Sequence, residues 1–349
     1  MEPWPRSVDI DATKGAEAMP IAFLLALAAA QAGTMPDAPP LGANLERFDY
    51  RAPVHWFETQ AQGGTVQMAY LDFTPTGPSR DRTLVLLHGK NFCSATWIET
   101  ARALAARGYR VIAPDQVGFC KSSKPAGFQY SFAALATLTD ALLADVGAGP
   151  VTVVGHSTGG MLAMHYGLLY PERVAQLVLV DPLGLNDTLA EGVPYAPLDV
   201  LRAEEAKKDA AAIKAYQRRV YYHGRWRPAY DRWVRMLAGQ YASADGDRVR
   251  DAQARLSDMI ETQPVAARLG AIEAPTTLIA GSLDTTAFRA SSAPKNKREA
   301  IRTVPEAARD VAARLPGWKL VELDGLGHSP MVEAPDRFQR VLLRVLDSS

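Results

Sequence analysis

A serine flanked by glycines constrains this chain more than any other feature of its sequence. The segment Gly155-His-Ser-Thr-Gly159 follows the apolar run 151–154 and opens a second apolar stretch, residues 160–164. The serine therefore stands at a sharp turn from a buried strand into a helix. Such a turn strains the central backbone and brings neighbouring segments too close for a Cβ, which explains a glycine on each side. This context predicts that Ser157 is a nucleophile rather than part of an ordinary glycine-rich loop.

Composition and charge exclude several classes of function. The 349 residues are 48% hydrophobic and 22% charged, which is typical of one large globular domain with an insertion. Lys and Arg together number 38, as do Asp and Glu, so no net positive charge attracts nucleic acid or anionic lipid. We interpret the mixed-charge run 202–209 as a solvated helix face. We expect a small-molecule partner and no nucleic acid, metal or cofactor; the oligomeric state stays open.

The first 40 residues have features of a targeting segment. Apolar residues 20–30 end in Ala30-Gln-Ala32, the small-x-small pattern of a signal-peptidase site, and are too few to span a bilayer. Acidic residues outnumber Arg6 and Lys14 before this stretch, which is unusual for an export signal. Two interpretations follow. Residues 1–40 are either the signal peptide of an exported, periplasmic or secreted protein with no stable membrane anchor, or a disordered segment or ordinary amphipathic helix of a cytoplasmic protein.

Strand and helix patterns alternate on both sides of a long helical segment. Strand-like apolar runs lie at residues 66–73, 83–87, 109–113, 151–154, 174–180, 276–280 and 319–323. Helical patterns lie at residues 96–107, 132–146 and 336–346. Strands joined through helices predict an α/β fold, a parallel sheet covered by helices on both faces. Residues 41–184 and 270–349 form the two parts of this core.

Residues 185–269 interrupt the alternation. The segment has no strand-like run and has the pattern of several amphipathic helices, rich in Ala, Arg and aromatic residues. In open α/β sheets, ligands bind outside the carboxyl ends of the strands. We therefore predict that this segment, called the cap below, covers that edge of the sheet.

One of the six histidines is well placed to activate the serine. A serine hydroxyl needs a base within hydrogen-bond reach, and that base needs a third group to orient it. The other five lie before the sheet, in glycine turns, in the helix after the serine or in the cap: His55, His88, His156, His165 and His223. His328 lies in a loop directly after a late strand, so we predict that it is the base.

Two aspartates compete for the role of the third group. This residue should end a strand and precede the base. Asp284 ends the strand after the cap, whereas Asp181 ends the strand before the cap and precedes Pro182. An aspartate beside a proline often anchors a turn instead. We therefore predict Asp284 as the acid that fixes the imidazole tautomer, and keep Asp181 as its rival.

Cleavage of an acyl group also needs hydrogen-bond donors where negative charge develops. The backbone N–H of Thr158, the residue after the nucleophile, is one predicted donor. The glycine turn after residue 87 should supply the other, for which we predict the N–H of Lys90, with Asn91 as the alternative. We expect the Lys90 side chain to reach solvent or to pair with a carboxylate.

Five segments together resemble the α/β-hydrolases that carry a lid. They are Leu86-Leu-His-Gly89, Ala113-Pro-Asp-Gln-Val-Gly-Phe-Cys-Lys-Ser122, Gly155-His-Ser-Thr-Gly-Gly160, Gly281-Ser-Leu-Asp284 and Gly327-His-Ser-Pro330. The resemblance implies an eight-stranded, mostly parallel sheet, a helical cap inserted after strand six and a triad of Ser157, Asp284 and His328. It leaves the substrate open, because the family includes esterases, lipases, peptidases and C–C bond hydrolases.

Two features depart from these relatives. The chain between Asp284 and His328 is longer than usual, and we place the insertion at residues 285–297. Cys120 replaces a residue that is commonly glycine, and the resemblance places its loop beside that of Cys93. In an exported protein a disulfide between these two cysteines would hold the oxyanion loop. The alternative is two reduced cysteines that pack as small apolar residues.

Several residues are candidates for the wall of a substrate pocket. The densest aromatic cluster of the chain lies in the cap at residues 221–233 and includes Trp226 and Trp233. Aromatic residues at helical spacing either line a pocket or pack in a core. Asn91, Phe92 and Met161 adjoin the catalytic loops and are further candidates.

These features favour a cofactor-free serine hydrolase that cleaves a carboxylic ester through an acyl-enzyme on Ser157. A C–C bond hydrolase of the meta-cleavage type would use a similar triad, with Lys90 and Asn91 available to a substrate carboxylate. A non-catalytic binding protein of the same fold would need a defective triad, whereas all three members are present in this sequence.

Overall fold

One sheet organises the molecule. The computed structural model describes residues 38–348. Within them, eight strands form the sheet: β1 (His55–Ala61), β2 (Gly64–Phe73), β3 (Thr83–Leu87), β4 (Arg110–Pro114), β5 (Val151–His156), β6 (Val174–Val180), β7 (Thr276–Gly281) and β8 (Lys319–Leu323). Of the N-terminal segment predicted at residues 1–40, residues 1–37 lie outside the described residues.

The strand order is β1-β2-β4-β3-β5-β6-β7-β8. Neighbours from β4 to β8 run parallel, whereas β2 pairs antiparallel with β1 and β4. The central strands are almost entirely buried and are rich in Val, Leu and Ile, as expected for strands covered on both faces. The predicted α/β fold with a mostly parallel eight-stranded sheet is confirmed.

Helices cover both faces of this sheet. In chain order the described α-helices are α1 (Ile98–Ala106), α2 (Phe132–Asp145), α3 (Thr158–Leu169), α4 (Leu198–Ala206), α5 (Ala210–Val220), α6 (Asp231–Tyr241), α7 (Gly246–Thr262), α8 (Lys295–Arg298), α9 (Val304–Arg314), α10 (Pro330–Glu333) and α11 (Pro335–Asp347). From β3 to β4 the chain moves across the sheet in one direction, and from β4 onward in the other. Because such crossovers are right-handed, α1 lies on one face and α2 and α3 lie on the opposite one.

The cap contains four of these helices, α4 to α7, and no strand among its residues, all of which are described. Helix α4 packs along α7, and α5 packs against α6. The side chain of Asp209 accepts a hydrogen bond from the Ala212 N–H and so begins α5. None of the described helices combines the length and the apolar character that a membrane crossing requires.

Strand β1 and the helices α8, α9 and α10 were not predicted from the sequence. Strand β1 is an edge strand in which only Phe57 is buried, so its apolar alternation is weak; His55 lies in this strand and not before the sheet. Helix α9 begins with a capping box, in which Thr303 and Glu306 bond reciprocally. The Thr-x-x-Glu spacing was the available signal for this helix.

Candidate active site

Ser157 occupies the turn between β5 and α3 in a strained conformation. Its φ is 54° and its ψ is −118°, a region that a residue with a side chain adopts only at a cost in free energy. A Cβ on Gly155 would lie 2.3 Å from the Gly159 carbonyl oxygen, and one on Gly159 would lie 2.4 Å from that of Leu87. Close approach of three backbone segments therefore requires both glycines.

Ser157, His328 and Asp284 form a continuous hydrogen-bonded chain. His328 Nε2 lies 3.0 Å from Ser157 Oγ, and His328 Nδ1 lies 2.7 Å from Asp284 Oδ2. Because a carboxylate only accepts hydrogen bonds, Nδ1 carries the proton and Nε2 is left to accept the serine proton. Ser157 is 5% exposed, and His328 and Asp284 are also buried. This geometry is that of a nucleophile, a base and an orienting acid.

Asp181, the rival acid, lies beside Asp284 without taking its place. Its Oδ1 accepts a hydrogen bond from the Gly281 N–H at 2.7 Å, so it anchors the end of β7. Burial, and then the negative charge of Asp284, raise the pKa of Asp181 well above its usual value. The neutral form of Asp181 is therefore favoured next to the carboxylate that contacts His328.

The base is also held through its backbone. His156 Nε2 lies 2.7 Å from the carbonyl oxygen of His328 and donates to it, since a carbonyl only accepts. The His328 N–H donates to the carbonyl oxygen of Tyr221, a cap residue, at 3.1 Å. Burial lowers the pKa of His156 well below its usual value, which keeps this imidazole neutral. From the sequence, His156 was assigned no role beyond its place in a glycine turn.

Both predicted oxyanion donors lie next to Ser157. Thr158 is the first residue of α3, and the first N–H groups of a helix have no acceptor within it. Lys90 follows Gly89, on which a Cβ would lie 3.0 Å from Ser157 Cβ. Among the described residues, no acceptor takes the backbone N–H of Lys90. The loop after β3 therefore brings a free backbone donor to the nucleophile.

The side chain of Lys90 binds the cap. Its Nζ lies 2.8 Å from Glu205 Oε1 in α4, and the two side chains are only 10% and 2% exposed. Glu205 also accepts hydrogen bonds from Lys208 Nζ and the Tyr241 hydroxyl, both at 2.8 Å. The interpretation of run 202–209 as a solvated face was therefore wrong at Glu205, which points inward. The sequence had no signal for this, because its neighbours in the run are exposed and charged.

Opposite effects set the pKa values of this buried pair. Burial lowers the pKa of Lys90 to about 8, although Glu205 acts against the shift. Burial also disfavours the Glu205 carboxylate, but the two ammonium groups of Lys90 and Lys208 outweigh it and bring its pKa down to about 2. At neutral pH the pair is charged on both sides, and the lysine is the member closer to losing its charge.

A second contact joins the oxyanion loop to the cap. Asn91 Nδ2 donates to the Tyr221 hydroxyl at 2.7 Å. The ring of Tyr221 lies 4.9 Å from the ring of His328, centroid to centroid. Tyr221 thus contacts the oxyanion loop with its hydroxyl and the base with its ring and its carbonyl. Its importance was not visible in the sequence, where it is one of several cap aromatics.

Cys93 and Cys120 are joined by a disulfide, with their Cα atoms 5.8 Å apart. It links the loop after β3, which carries Lys90, to the loop after β4. The adjacent Asp115 carboxylate accepts hydrogen bonds from the Tyr50 hydroxyl at 2.6 Å and from the Ser94 N–H at 2.8 Å. The oxyanion loop is therefore held from the core as well as from the cap.

The candidate pocket residues fall in three places. Phe92, Trp226 and Trp233 pack in an aromatic cluster around Tyr222 and Tyr230, whose rings stack 3.8 Å apart. This arrangement favours packing over a pocket role for the three. Met161 lines a cavity of about 20 Å³, large enough for one water molecule. Asn91 lines a much larger cavity.

The larger cavity has a volume of about 550 Å³ and lies between the core and the cap. Lys90 and Asn91 contribute one wall, helices α4 and α5 contribute the second, and residues 285–292 contribute the third. This volume is within the range of small-molecule sites. Ser157, His328 and Asp284 are not among the residues that line it, but its walls include Lys90 and Asn91 of the oxyanion loop and the residues that directly follow Asp284.

Two groups of described residues bring three metal-ligand atoms within 4.8 Å of one another: Asp181, Asp284 and His328, and Cys93, Asp115 and Cys120. In the first group His328 Nδ1 and Asp284 Oδ2 are hydrogen-bonded to each other. In the second group both sulfurs belong to the disulfide. Neither group therefore offers three free ligand atoms.

Comparison with known proteins gives consistent matches. A family model described as alpha/beta hydrolase fold matches residues 82–335. A probable hydrolytic enzyme of solved structure from Pseudomonas aeruginosa is 47% identical, with a TM-score of 0.86 over 88% of this chain and 98% of that one. Lipase 1 from Psychrobacter immobilis is 27% identical over 273 residues, which is 76% of each protein.

One further relative has a different named substrate. The 2-hydroxy-6-oxo-2,4-heptadienoate hydrolase of Pseudomonas putida is 36% identical over 116 residues, or 32% of this chain and 41% of that protein. The match thus spans less than half of that hydrolase. Both lipases and C–C bond hydrolases are therefore among the proteins that this chain resembles.

Proposed function

The chain belongs to the alpha/beta hydrolase fold family, and we propose that within this family it is a serine hydrolase that cleaves a carboxylic ester. One observation carries the proposal: Ser157 Oγ, His328 and Asp284 form a single hydrogen-bonded chain with distances of 3.0 and 2.7 Å. Two further facts support it: the three residues follow the carboxyl ends of β5, β7 and β8, where ligands bind in such sheets, and Lys90, Asn91 and the residues after Asp284 line a cavity of about 550 Å³.

In the acylation step, Ser157 Oγ attacks the ester carbonyl carbon while its proton passes to His328 Nε2. The carbonyl π electrons move to the oxygen, which becomes an oxyanion and accepts hydrogen bonds from the N–H groups of Lys90 and Thr158. Asp284 stabilises the imidazolium without taking its proton. As the oxyanion collapses, the bond to the leaving oxygen breaks, and His328 gives that oxygen its proton.

Deacylation repeats these steps with water. His328 Nε2 takes a proton from a water molecule, whose oxygen attacks the acyl carbon and restores the oxyanion. Collapse then breaks the bond to Ser157 Oγ, which receives the proton from His328. The net reaction consumes one ester and one water and yields one acid and one alcohol.

A C–C bond hydrolase is the second candidate. The match to the heptadienoate hydrolase of Pseudomonas putida, 36% identical over 116 residues, favours it. The match to a lipase covers 76% of this chain and favours the ester reading. The two reactions share the nucleophile and the base, so substrate tests must separate them.

The test is a hydrolysis profile over p-nitrophenyl esters of increasing acyl length, with Ser157→Ala as the blank. We expect turnover that depends on Ser157 and peaks at one length. Failure with every ester, combined with fluorophosphonate labelling of Ser157, would contradict the ester proposal and favour a C–C or amide bond. Absorbance loss of a ring-fission product would identify the C–C reaction directly.

We also propose that the protein is exported. The buried Cys93–Cys120 disulfide supports this, since such bonds persist mainly in oxidising compartments. Intact mass with and without alkylation, on denatured protein from an oxidising compartment, should show no free thiol. Two free thiols there would contradict the disulfide and remove this support for export.

A further inference from the structure

The segment that departs from related sequences builds a wall of the large cavity. Residues 285–292, from the insertion predicted at 285–297, line it next to Asp284. Thr285, Ser291 and Ser292 bring hydroxyl groups to this wall, and Phe288 brings an aromatic ring. The insertion therefore shapes the space beside the triad and is not a remote surface loop.

The lining of this cavity is rich in cations. Among the described residues that line it, four are cationic and two are anionic: Lys90, Lys208, Arg219 and Arg289 against Glu204 and Glu205. A cavity built for a purely apolar chain would not bring four cations together, because each must be desolvated when the chain enters. Four cations against two anions leave the lining with a net positive charge, which favours a negatively charged ligand.

The ion pairs show which of the four cations are neutralised by a carboxylate and which are not. Lys90 and Lys208 share the single carboxylate of Glu205. Arg289 lies 2.5 Å from Glu204 and 3.4 Å from Glu261, so its charge is matched. The surplus positive charge therefore lies on the side of the cavity formed by Lys208 and α5.

Arg219, in the last turn of α5, lines the cavity with an exposed side chain. Among residues 38–348 it forms no ion pair and no hydrogen bond. Its neighbour Arg218 differs, since its Nε donates to the carbonyl oxygen of Gly224 at 2.8 Å and it does not line the cavity. An arginine offers a planar set of donors that matches a carboxylate in two places at once.

We propose that Arg219 binds a carboxylate of the substrate, so that the cavity selects esters whose acyl or alcohol part carries a negative charge. Lys208, which lines the same side, adds to the positive potential. Tyr216, one turn before in α5, also lines the cavity and offers a hydroxyl. This inference rests on the proposed function and specifies the substrate class of the same site.

The test compares substrates that differ only in charge. Monoesters of succinate, adipate and suberate with 4-nitrophenol are compared with the matched neutral acyl esters at low ionic strength. We expect the best anionic ester to have a kcat/KM about tenfold above its neutral counterpart, as one charged hydrogen bond would give. A series of esters with the carboxylate on the alcohol part tests the other orientation.

Arg219→Gln and Arg218→Gln separate a specific contact from overall charge. Both remove one positive charge from adjacent positions of α5. We expect Arg219→Gln to lower the anionic-to-neutral ratio of kcat/KM about tenfold, and Arg218→Gln to leave that ratio as in the wild type. A wild type without preference in either series, or a ratio that is unchanged in Arg219→Gln, would overturn the inference.

Calorimetry measures binding of a carboxylate to the cavity without requiring turnover of an ester. If no ester is turned over, the ester proposal fails, and adipate is titrated into Ser157→Ala and into Ser157→Ala with Arg219→Gln. Binding that depends on Arg219 would still support the carboxylate site. Equal heats from the two proteins would overturn it.

Discussion

At the scale of single residues, two neighbouring aspartates have different tasks. Asp284 holds the imidazole of His328 through Oδ2 and accepts the Thr286 N–H through Oδ1. Asp181 accepts from Gly281 and lies against Asp284 in its neutral form. Two buried carboxyl groups this close cannot both ionise without a large cost, so the contact with His328 decides which one is charged.

Asparagine substitutions at the two positions should differ strongly in their effect on turnover. Asp284→Asn should lower kcat by about four orders of magnitude, because the amide favours the wrong imidazole tautomer. Asp181→Asn should lower it by less than about tenfold, since asparagine resembles the neutral acid and keeps an acceptor for Gly281. Steady-state kinetics of both variants checks this, and a larger loss in Asp181→Asn would identify it as the acid.

Asp181 should also impose a pH dependence on stability. Its pKa is raised in the folded state, so the folded protein binds this proton more tightly than the unfolded chain. The stabilisation is complete below the unfolded pKa of about 3.9 and is lost as pH rises toward the folded pKa. Urea unfolding of Asp181→Asn, which has no such proton, should show a stability relative to wild type that increases with pH. The exposed Asp199→Asn serves as the control, and a difference independent of pH would contradict the shift.

The sequence predicted residues with a local pattern and missed those without one. Ser157 has its glycines and His328 follows a strand, and the structure brings the two into contact. Glu205 and Tyr221 reach the site from helices distant in the sequence, and nothing in their neighbours distinguishes them. Tertiary contacts of this kind carry no periodic signal, so a single sequence does not reveal them.

At the scale of elements, the loop after β3 is fixed from two sides. The disulfide joins it to the loop after β4, and the side chains of Lys90 and Asn91 join it to the cap. Donors that stabilise an oxyanion must be in place before the charge develops, since moving them later costs free energy. The disulfide and the contacts of Lys90 and Asn91 with the cap hold the loop after β3 in position before a substrate binds.

Loss of the disulfide should lower stability markedly. The bond closes a loop with a sequence separation of 27 residues, for which chain entropy gives about 3.5 kcal/mol. Cys93→Ala combined with Cys120→Ala should therefore reduce the free energy of unfolding by about that amount in urea titrations. An unchanged midpoint would show that neighbouring contacts, such as those of Asp115, already hold the two loops together.

Glu205→Gln should test, with a neutral ester as substrate, whether the contact with the cap orders the oxyanion loop. The change leaves the buried Lys90 ammonium without its carboxylate, and the oxyanion loop is then free to shift. We expect kcat to fall about tenfold, a part of what the loss of a whole oxyanion donor costs, with a smaller change in KM. Asp199→Asn, in the exposed first turn of the same helix, should behave as wild type. A wild-type kcat in Glu205→Gln would refute the coupling.

The elements themselves were predicted unevenly. Strands such as β3 and β6 were predicted to the residue, because they are largely buried apolar runs bounded by turns. Strand β1 pairs only with β2 and leaves most of its side chains exposed. An edge strand of this kind is specified by its partner's backbone rather than by its own apolar pattern.

At the scale of the whole molecule, the site is assembled from both sides of the cap insertion. The nucleophile precedes the cap in the chain, the acid and base follow it, and Arg219 lies within it. In the proposed function, substrate selection falls to the cap and bond cleavage to residues on either side of it, although helices α6 and α7 of the cap pack into the same hydrophobic core as the sheet. A change at Arg219, which forms no hydrogen bond or ion pair with a triad residue, should therefore alter which ester is accepted without altering the triad, whereas a change at Tyr221 would affect His328 as well.

The strained backbone of Ser157 lowers the stability of the protein at the position where the proposed activity needs a serine. A strained residue costs about 1–3 kcal/mol, a large share of the 5–15 kcal/mol by which proteins of this kind are stable. Glycine adopts a φ of 54° without that cost, so Ser157→Gly should melt above both the wild type and Ser157→Ala in calorimetry while being inactive. A lower melting temperature than that of Ser157→Ala would disprove it. Selection for thermal stability alone would therefore favour glycine at this position. The serine is explained by the proposed activity, which it serves at a cost in stability.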